Sequence, residues 1–141
     1  IGALNALANS KATLNGRRGL AQRELVQLAV ARAEAKRSAA RAWLFETAET
    51  AMLTAADEDG PAPVPMRARL RNAASHAVRE SADAVDLMYE AGGGASVYDH
   101  NPLQRHFRDV HVATQHMMVN PQVQALVGRV LLGLEPDTSQ L

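Results

Sequence analysis

Apolar and small residues recur every three or four positions along most of this chain, the spacing that places side chains on one face of an α-helix. Between about Ala21 and Ala56 there is neither proline nor glycine, and good helix formers dominate. The stripe in this segment consists mainly of alanine: Ala29, Ala33, Ala40, Leu44, Ala48, Ala51 and Ala55. A helix of roughly 50 Å with so narrow an apolar stripe is not stable alone. We therefore expect other helices to pack closely against it.

A second long helix is predicted from about residue 64 to residue 90, bounded by the segments DEDGPAPVP and AGGGAS. Its apolar positions have an a/d-like spacing: Met66, Leu70, Ala73, Ala77, Ala84, Leu87 and Ala91.

Two shorter helices follow, each opened by an asparagine and a proline. Pro102 behind Asn101 predicts a helix from 102 to about 119, and Asn120 with its proline predicts another from about 121 to 132. Gly133 ends that helix, and residues 1 to about 9 have the pattern of a further helix end. The fold class predicted is all-α, an antiparallel four-helix bundle.

Composition agrees with this class and removes several kinds of function. Aromatic residues make up only 4 %, fewer than a β-sandwich core needs. Fifteen basic and fifteen acidic residues cancel, so no net field favours nucleic acid or an anionic membrane. There is no cysteine and no apolar run long enough to span a membrane. The chain begins at Ile1 without a signal-peptide pattern, and we expect a cytoplasmic piece of a longer polypeptide.

Four of the five histidines lie between residues 96 and 122: His100, His106, His111 and His116. Two metal ligands on one helical face need a spacing of three or four, but the last three histidines are five apart. Each step of five turns the side chain by roughly 140°, so the three cannot converge on one ion from one helix. We predict no metal site, and the absence of cysteine and of a serine elbow argues against a nucleophilic triad.

By pattern alone, most of these features have simple structural explanations. His116 shares the predicted helical face of Arg105, Asp109 and Val112, beside the apolar residues that follow it, and fits either a core histidine or a pocket residue. The run of three glycines fits a helix-ending turn, and also a backbone that can approach a phosphate.

The segment YEAGGGASVYDHNPLQRHFRDVHVATQHMMVNPQVQALVGRVLLG (89–133) resembles the end of the acyl-CoA dehydrogenase fold. The two long helical segments before it resemble the same family, so the resemblance covers nearly the whole chain. It is strongest to the oxygenase components of two-component flavin-dependent monooxygenases. The resemblance implies that residues 1–141 are the C-terminal helical bundle of a longer flavoenzyme. In that family a helical domain and a β-barrel domain precede the bundle, and the resemblance implies that the 141 residues include neither.

The family also implies a cofactor loop. Dehydrogenases of this family carry a Gln-x-x-Gly-Gly-x-Gly loop that reaches a neighbouring subunit's flavin. Aligned on Pro102, its first two glycines fall on Gly93 and Gly94, while its glutamine is Glu90 and its third glycine is Ser96. The resemblance therefore implies that Gly93, Gly94 and Ser96 bind the cofactor, although Glu90 would repel a pyrophosphate.

The family further selects one histidine. Many dehydrogenases follow Arg-Asp with a Tyr-Glu-Gly segment whose glutamate is the catalytic base, and here those tyrosine and glutamate positions are His116 and Met117. A thioether cannot act as a base. In the monooxygenase branch a histidine at this position lies beside the flavin, where it helps to deprotonate a phenolic substrate or stabilises the oxygenated flavin. The resemblance thus implies a catalytic role for His116.

Three functions remain open at this stage. The first is the oxygenase subunit of a flavin-dependent monooxygenase, hydroxylating an aromatic or heterocyclic small molecule with O2 and reduced FAD or FMN supplied by a separate reductase. The second is an acyl-CoA dehydrogenase whose base lies upstream of Ile1, and the third is an inactive helical oligomerisation module. The family implies a homodimer or homotetramer, and the charge balance and composition predict neither nucleic acid nor membrane as a partner.

If most of the flavin site lies on other domains, the 141-residue chain by itself should be helical but should not hold flavin tightly. Circular dichroism and a flavin titration followed by fluorescence would test this. A purified chain that is yellow with stoichiometric flavin would contradict the expectation.

Overall fold

The computed structural model describes residues 1–10, 19–57 and 60–141, and these residues form helices without any strand. The five α-helices are α1 (Gly2–Ser10), α2 (Glu24–Asp57), α3 (Val64–Gly92), α4 (Pro102–Thr114) and α5 (Pro121–Leu131). Short 3-10 helices lie at Leu20–Gln22, Gly93–Ala95 and Thr138–Gln140. The prediction of an all-α chain with two long and two shorter helices after an initial helix end is confirmed. The sequence also predicts a loop over residues 9–19, with Gly16 and Gly19 as helix breakers, and most of it lies outside the described residues.

The chain divides into two compact units. The first consists of Ile1–Ser38 and Glu80–Val112, and the second of Ala39–Arg79 and Ala113–Leu141. Helices α2 and α3 each contribute residues to both units. In the second unit they run antiparallel, because Trp43 lies against His76 while Glu46, further along α2, pairs with Arg69, earlier on α3.

The buried face of α2 repeats every seven residues. Val26, Ala33, Ala40 and Thr47 are all buried, and Ala33 and Thr47 have no exposed surface. A seven-residue repeat is the seam of helices that pack along their length. Alanine at two of the four positions lets neighbouring backbone approach closely. The alanine stripe predicted from the sequence is therefore the inward face: its members are buried or half-buried.

Helix α3 is enclosed almost all round, with only five of its 29 residues exposed. Its fully buried positions include Ala68, Ser75 and Ala82, again seven apart, which the predicted a/d pattern missed. The predicted stripe is also inward, because its members are buried or half-buried. The pattern missed part of the interior because a helix with neighbours on several sides has no single apolar face.

An ion-pair cluster joins α2 to α3 in the first unit. Lys36 Nζ lies 2.8 Å from Asp83 Oδ2 and 2.9 Å from Glu80 Oε2. Hydrogen bonds first to Asp83 and then to Glu80 raise the pKa of Lys36 above its usual range. The amine therefore remains charged between two carboxylates that would otherwise repel each other.

Helix α4 is shorter than predicted. It ends at Thr114, whereas the sequence pattern continued it to residue 119. Beyond Thr114 the hydrogen bonds join residues three apart, from the His116 amide to Ala113 O and from the Val119 amide to His116 O, so residues 115–119 form turns and not α-helix. Asn120, before Pro121, is extended (φ −72°, ψ 170°) and caps α5. His116 therefore lies outside α4, and the prediction that it shares a helical face with Arg105, Asp109 and Val112 is wrong.

Within residues 1–10, 19–57 and 60–141, no helix has both the length and the apolar character needed to cross a membrane.

The small-residue seam of α2 predicts a position-specific response to added volume. Ala33→Leu should lower the free energy of unfolding by about 1–3 kcal/mol, because its side chain has no exposed surface and a larger one must displace its neighbours. Ala35→Leu, on the exposed side of the same helix, is the matched control and should change stability little. Denaturant unfolding of both variants at one protein concentration would test this, and equal midpoints would contradict it.

Candidate functional site

The glycine run forms a tight turn at the end of α3. Gly93 has φ 58°, a conformation that favours glycine, and the amide of Ser96 donates to Gly93 O at 2.9 Å. Both Gly93 and Gly94 are exposed, and an added Cβ would meet nothing within 4 Å at either residue. This stretch of backbone is therefore open to an external group, as a cofactor loop requires.

Ser96 has a different environment from the two glycines. Its side chain is completely buried, and Oγ donates to the carbonyl oxygen of Tyr89 at 2.7 Å. Its hydroxyl is thus engaged in holding the turn against the last turns of α3. The residue has no exposed surface, and its amide is bonded to Gly93 O. The predicted cofactor contact of Ser96 therefore remains a prediction, and in this structure both its hydroxyl and its amide serve the turn.

Asn101 fixes the other end of the turn. Its Oδ1 accepts from the amide of Leu103 at 3.0 Å, the capping bond predicted for α4. Its Nδ2 donates to Ala95 O at 2.8 Å, which ties the cap back to the glycine turn. A single buried side chain therefore couples the turn to the start of α4.

A cavity of about 820 Å³ opens beside the glycine turn. Gly94 lies on one side of it, and Tyr98 and His100 lie on another. The Tyr98 and His100 rings stack with centroids 5.6 Å apart and an interplanar angle of 17°. The residues present thus fit a cofactor loop in two respects, an open glycine backbone and adjoining space, while the exposed Glu90 keeps a negative charge at the position of the family's glutamine.

His116 lies in the turn between α4 and α5, in the second unit, and is exposed. Its amide donates to Ala113 O at 3.1 Å, and its carbonyl oxygen accepts from the amide of Val119 at 3.0 Å. The ring is also held, because Nδ1 accepts from the amide of Met118 at 3.3 Å. The turn places the imidazole at the surface of this chain, with the exposed Met117 beside it.

The other three histidines of the segment lie in the first unit and have separate environments. His100 stacks on Tyr98, and His106 borders a cavity of about 450 Å³. His111 Nε2 lies 2.9 Å from Asp86 Oδ1, and its ring meets Phe107 edge-on at 4.4 Å. Among the described residues, no group of three or more His, Asp or Glu side chains is arranged to hold a metal ion.

The pairing of His111 with Asp86 was not found from the sequence. The two residues are 25 positions apart on different helices, and no local motif joins them. Only the antiparallel packing of α3 and α4, which also places Tyr89 against Phe107 with ring centroids 4.6 Å apart, brings them together. The spacing of four between Arg105 and Asp109, by contrast, predicts an intrahelical pair from the sequence alone, and the structure confirms it with Arg105 Nε donating to Asp109 Oδ2 at 3.3 Å.

Comparison with known proteins identifies the family. The profile of the acyl-CoA dehydrogenase C-terminal domain matches residues 1–121. This chain belongs to that family. The solved structure of 3-HSA hydroxylase from a Rhodococcus species has the same fold, with a TM-score of 0.82 at 21 % identity, over 99 % of this chain and 37 % of the other. The predicted C-terminal domain type is thereby confirmed.

Two relatives of similar sequence identity to this chain are named as a monooxygenase and as a hydroxylase oxygenase component. Indole-3-acetate monooxygenase of Pseudomonas putida is 32 % identical over 133 residues, which are 94 % of this chain and 34 % of the relative. The FADH(2)-dependent resorcinol hydroxylase, oxygenase component, of a Rhizobium species is 33 % identical over 129 residues, which are 89 % of this chain and 32 % of the relative. The chain therefore spans about a third of the length of these relatives.

The glycine turn predicts that alanine is tolerated at Gly94 but not at Gly92. At Gly92 an added Cβ would overlap Ser96 Oγ and lie 3.0 Å from Leu103 Cδ1, so Gly92→Ala should cost about 1–3 kcal/mol of stability. Gly94→Ala, which would meet nothing within 4 Å, is the control and should leave stability nearly unchanged. Thermal unfolding of the two variants would decide, and an equal loss in both would contradict the role of Gly92 as a packing position.

Proposed function

We propose that this chain is the C-terminal helical domain of the oxygenase subunit of a flavin-dependent monooxygenase. The observation that carries the proposal is the match, over 94 % and 89 % of the chain, to relatives named a monooxygenase and an FADH(2)-dependent hydroxylase. The substrate would be an aromatic or heterocyclic small molecule. A separate reductase would supply the reduced flavin, FAD or FMN, and the enzyme would act in the cytoplasm.

The position after His116 favours this proposal over a dehydrogenase. Met117 occupies the place of the glutamate base, and its thioether cannot accept a proton. A dehydrogenase would need a base elsewhere, whereas the two relatives above have monooxygenase and hydroxylase names. The monooxygenase reading needs no base at Met117.

Each predicted site residue has a distinct role in this proposal. Gly93 and Gly94 would hold the flavin through their open backbone, and Ser96 would serve the cofactor site by keeping their turn in place. His116 would act on the substrate or on the flavin, from a turn whose main chain is held on both sides of the residue. When bound, reduced flavin with O2 supplies the oxygen-transfer chemistry, and the protein binds and orients the reactants.

Self-association is also part of the proposal. Helix α2 exposes large apolar side chains, which include Leu25, Phe45, Met52 and Leu53. Exposed apolar surface of this kind is typical of protein interfaces. We expect a homodimer or homotetramer, and light scattering that finds a monomer at high micromolar concentration would contradict it.

The test of the site is mutation of three histidines in the complete enzyme. His116→Ala should lower hydroxylation by about 10² or more, the scale of a lost acid–base group, without loss of the fold. His106→Ala is the control and should stay within a few-fold, because His106 borders a different cavity from the one beside the glycine turn. His100 lines the cavity beside the glycine turn, but His100→Ala should also stay within a few-fold, because the proposed flavin contacts are made by the glycine backbone and not by this ring. Stopped-flow oxidation of reduced flavin with product analysis measures both turnover and coupling. If none of the three substitutions changes turnover or coupling, His116 is a structural residue, and the alternative of an inactive assembly module is favoured.

A further inference from the structure

The turn that carries His116 fixes more than the position of its ring. Three hydrogen bonds converge on this residue within the second unit. Its amide donates to Ala113 O at 3.1 Å, its carbonyl oxygen accepts from the Val119 amide at 3.0 Å, and Nδ1 accepts from the Met118 amide at 3.3 Å. The main chain is therefore hydrogen-bonded at both the amide and the carbonyl of His116, and the Met118 amide orients its imidazole.

The bond from Met118 determines where the ring proton lies. A backbone amide is only a donor, so the nitrogen that faces it must offer a lone pair. In a neutral imidazole one nitrogen carries the proton and the other accepts, so an accepting Nδ1 places the proton on Nε2. Nδ1–H would instead direct two donors at each other.

Nε2 is consequently a hydrogen-bond donor in the neutral ring. The side chain is exposed, and within the described part of the chain no hydrogen bond from Nε2 is found. A neutral histidine whose Nε2 carries the proton cannot remove a proton through that nitrogen without first changing tautomer. Changing tautomer would break the bond from the Met118 amide.

We infer that His116 presents Nε2–H as a hydrogen-bond donor to an electron-rich oxygen of the substrate or the flavin, and is not the base that deprotonates the substrate. This inference rests on the proposed function and decides between the two roles that the family resemblance left open. It implies that the bound substrate offers an oxygen acceptor, such as a phenolate or carbonyl oxygen. Any phenol proton would be taken up by another group.

The first experiment needs no flavin and uses the 141-residue chain. Long-range 1H–15N correlation of the histidine rings at alkaline pH, where imidazole is neutral, reports which nitrogen carries the proton. The His116 signals are assigned by their loss in His116→Ala. We expect the proton on Nε2, and a His116 ring with its proton on Nδ1 would overturn the inference.

Amide hydrogen exchange gives an independent check on the same chain. In His116→Ala the Met118 amide loses its acceptor and should exchange faster than in the unchanged chain. The Val119 amide is an internal control, because its acceptor is the backbone oxygen of residue 116, which alanine retains. Unchanged exchange at Met118 would show that the ring is not held as the geometry requires, and would overturn the inference.

The second experiment uses the complete enzyme and compares two substitutions. The side-chain amide of glutamine can donate a hydrogen bond but cannot act as a base. His116→Gln should therefore keep turnover within about ten-fold and leave the pH profile in place, while His116→Ala loses about 10² or more. Glutamine as inactive as alanine would overturn the donor role. If both variants are fully active, the assignment of His116 in the proposed function fails, whatever the tautomer.

Discussion

Close packing along the small residues of α2 and α3 is the constraint on which the rest of this chain depends. Ala33 and Ala40 on α2, and Ala68, Ser75 and Ala82 on α3, are all buried, and their small side chains allow helices to approach closely. Because α2 alone would be marginal in water, its helical state is stabilised by this tertiary packing more than by propensity. Ion pairs also join α2 to α3 within each unit: Lys36 bonds Glu80 in the first unit, and Glu46 bonds Arg69 in the second.

The turns that carry the candidate site are specified locally, in contrast to the helices. Each shorter helix begins with an asparagine whose Oδ1 accepts amide hydrogen bonds, Asn101 for α4 and Asn120 for α5. Asn101 also bonds Ala95 O, so the cap that starts α4 holds the glycine turn as well. Sub-ångström placement of a functional group is achieved most readily when the residues around it are fixed in this way.

The four histidines show how environment distinguishes chemically identical groups. His111 pairs with Asp86 and packs on Phe107, and His100 stacks on Tyr98, so both have a structural explanation within the first unit. His116 is bound at Nδ1 by a main-chain amide and exposes the rest of its ring. An exposed ring whose Nδ1 is held by a main-chain amide leaves Nε2 available to a bound reactant, and no argument from sequence spacing could have shown this bond.

The sequence by itself determined the helical class, the approximate bounds of the long helices, both asparagine caps and the positive φ of Gly133, which is 70°. These features depend on local chemistry: helix propensity, a side chain that bonds amides two or three residues on, and the freedom of glycine. Family resemblance, which the profile match confirmed, supplied the choice of His116 and the glycine loop. The tertiary structure alone decided the buried seam of α3, the pairing of Asp86 with His111, and the burial of the Ser96 hydroxyl. It also decided the early end of α4 at Thr114. Contacts between residues far apart in the chain depend on register and on neighbours, and a one-dimensional pattern contains neither.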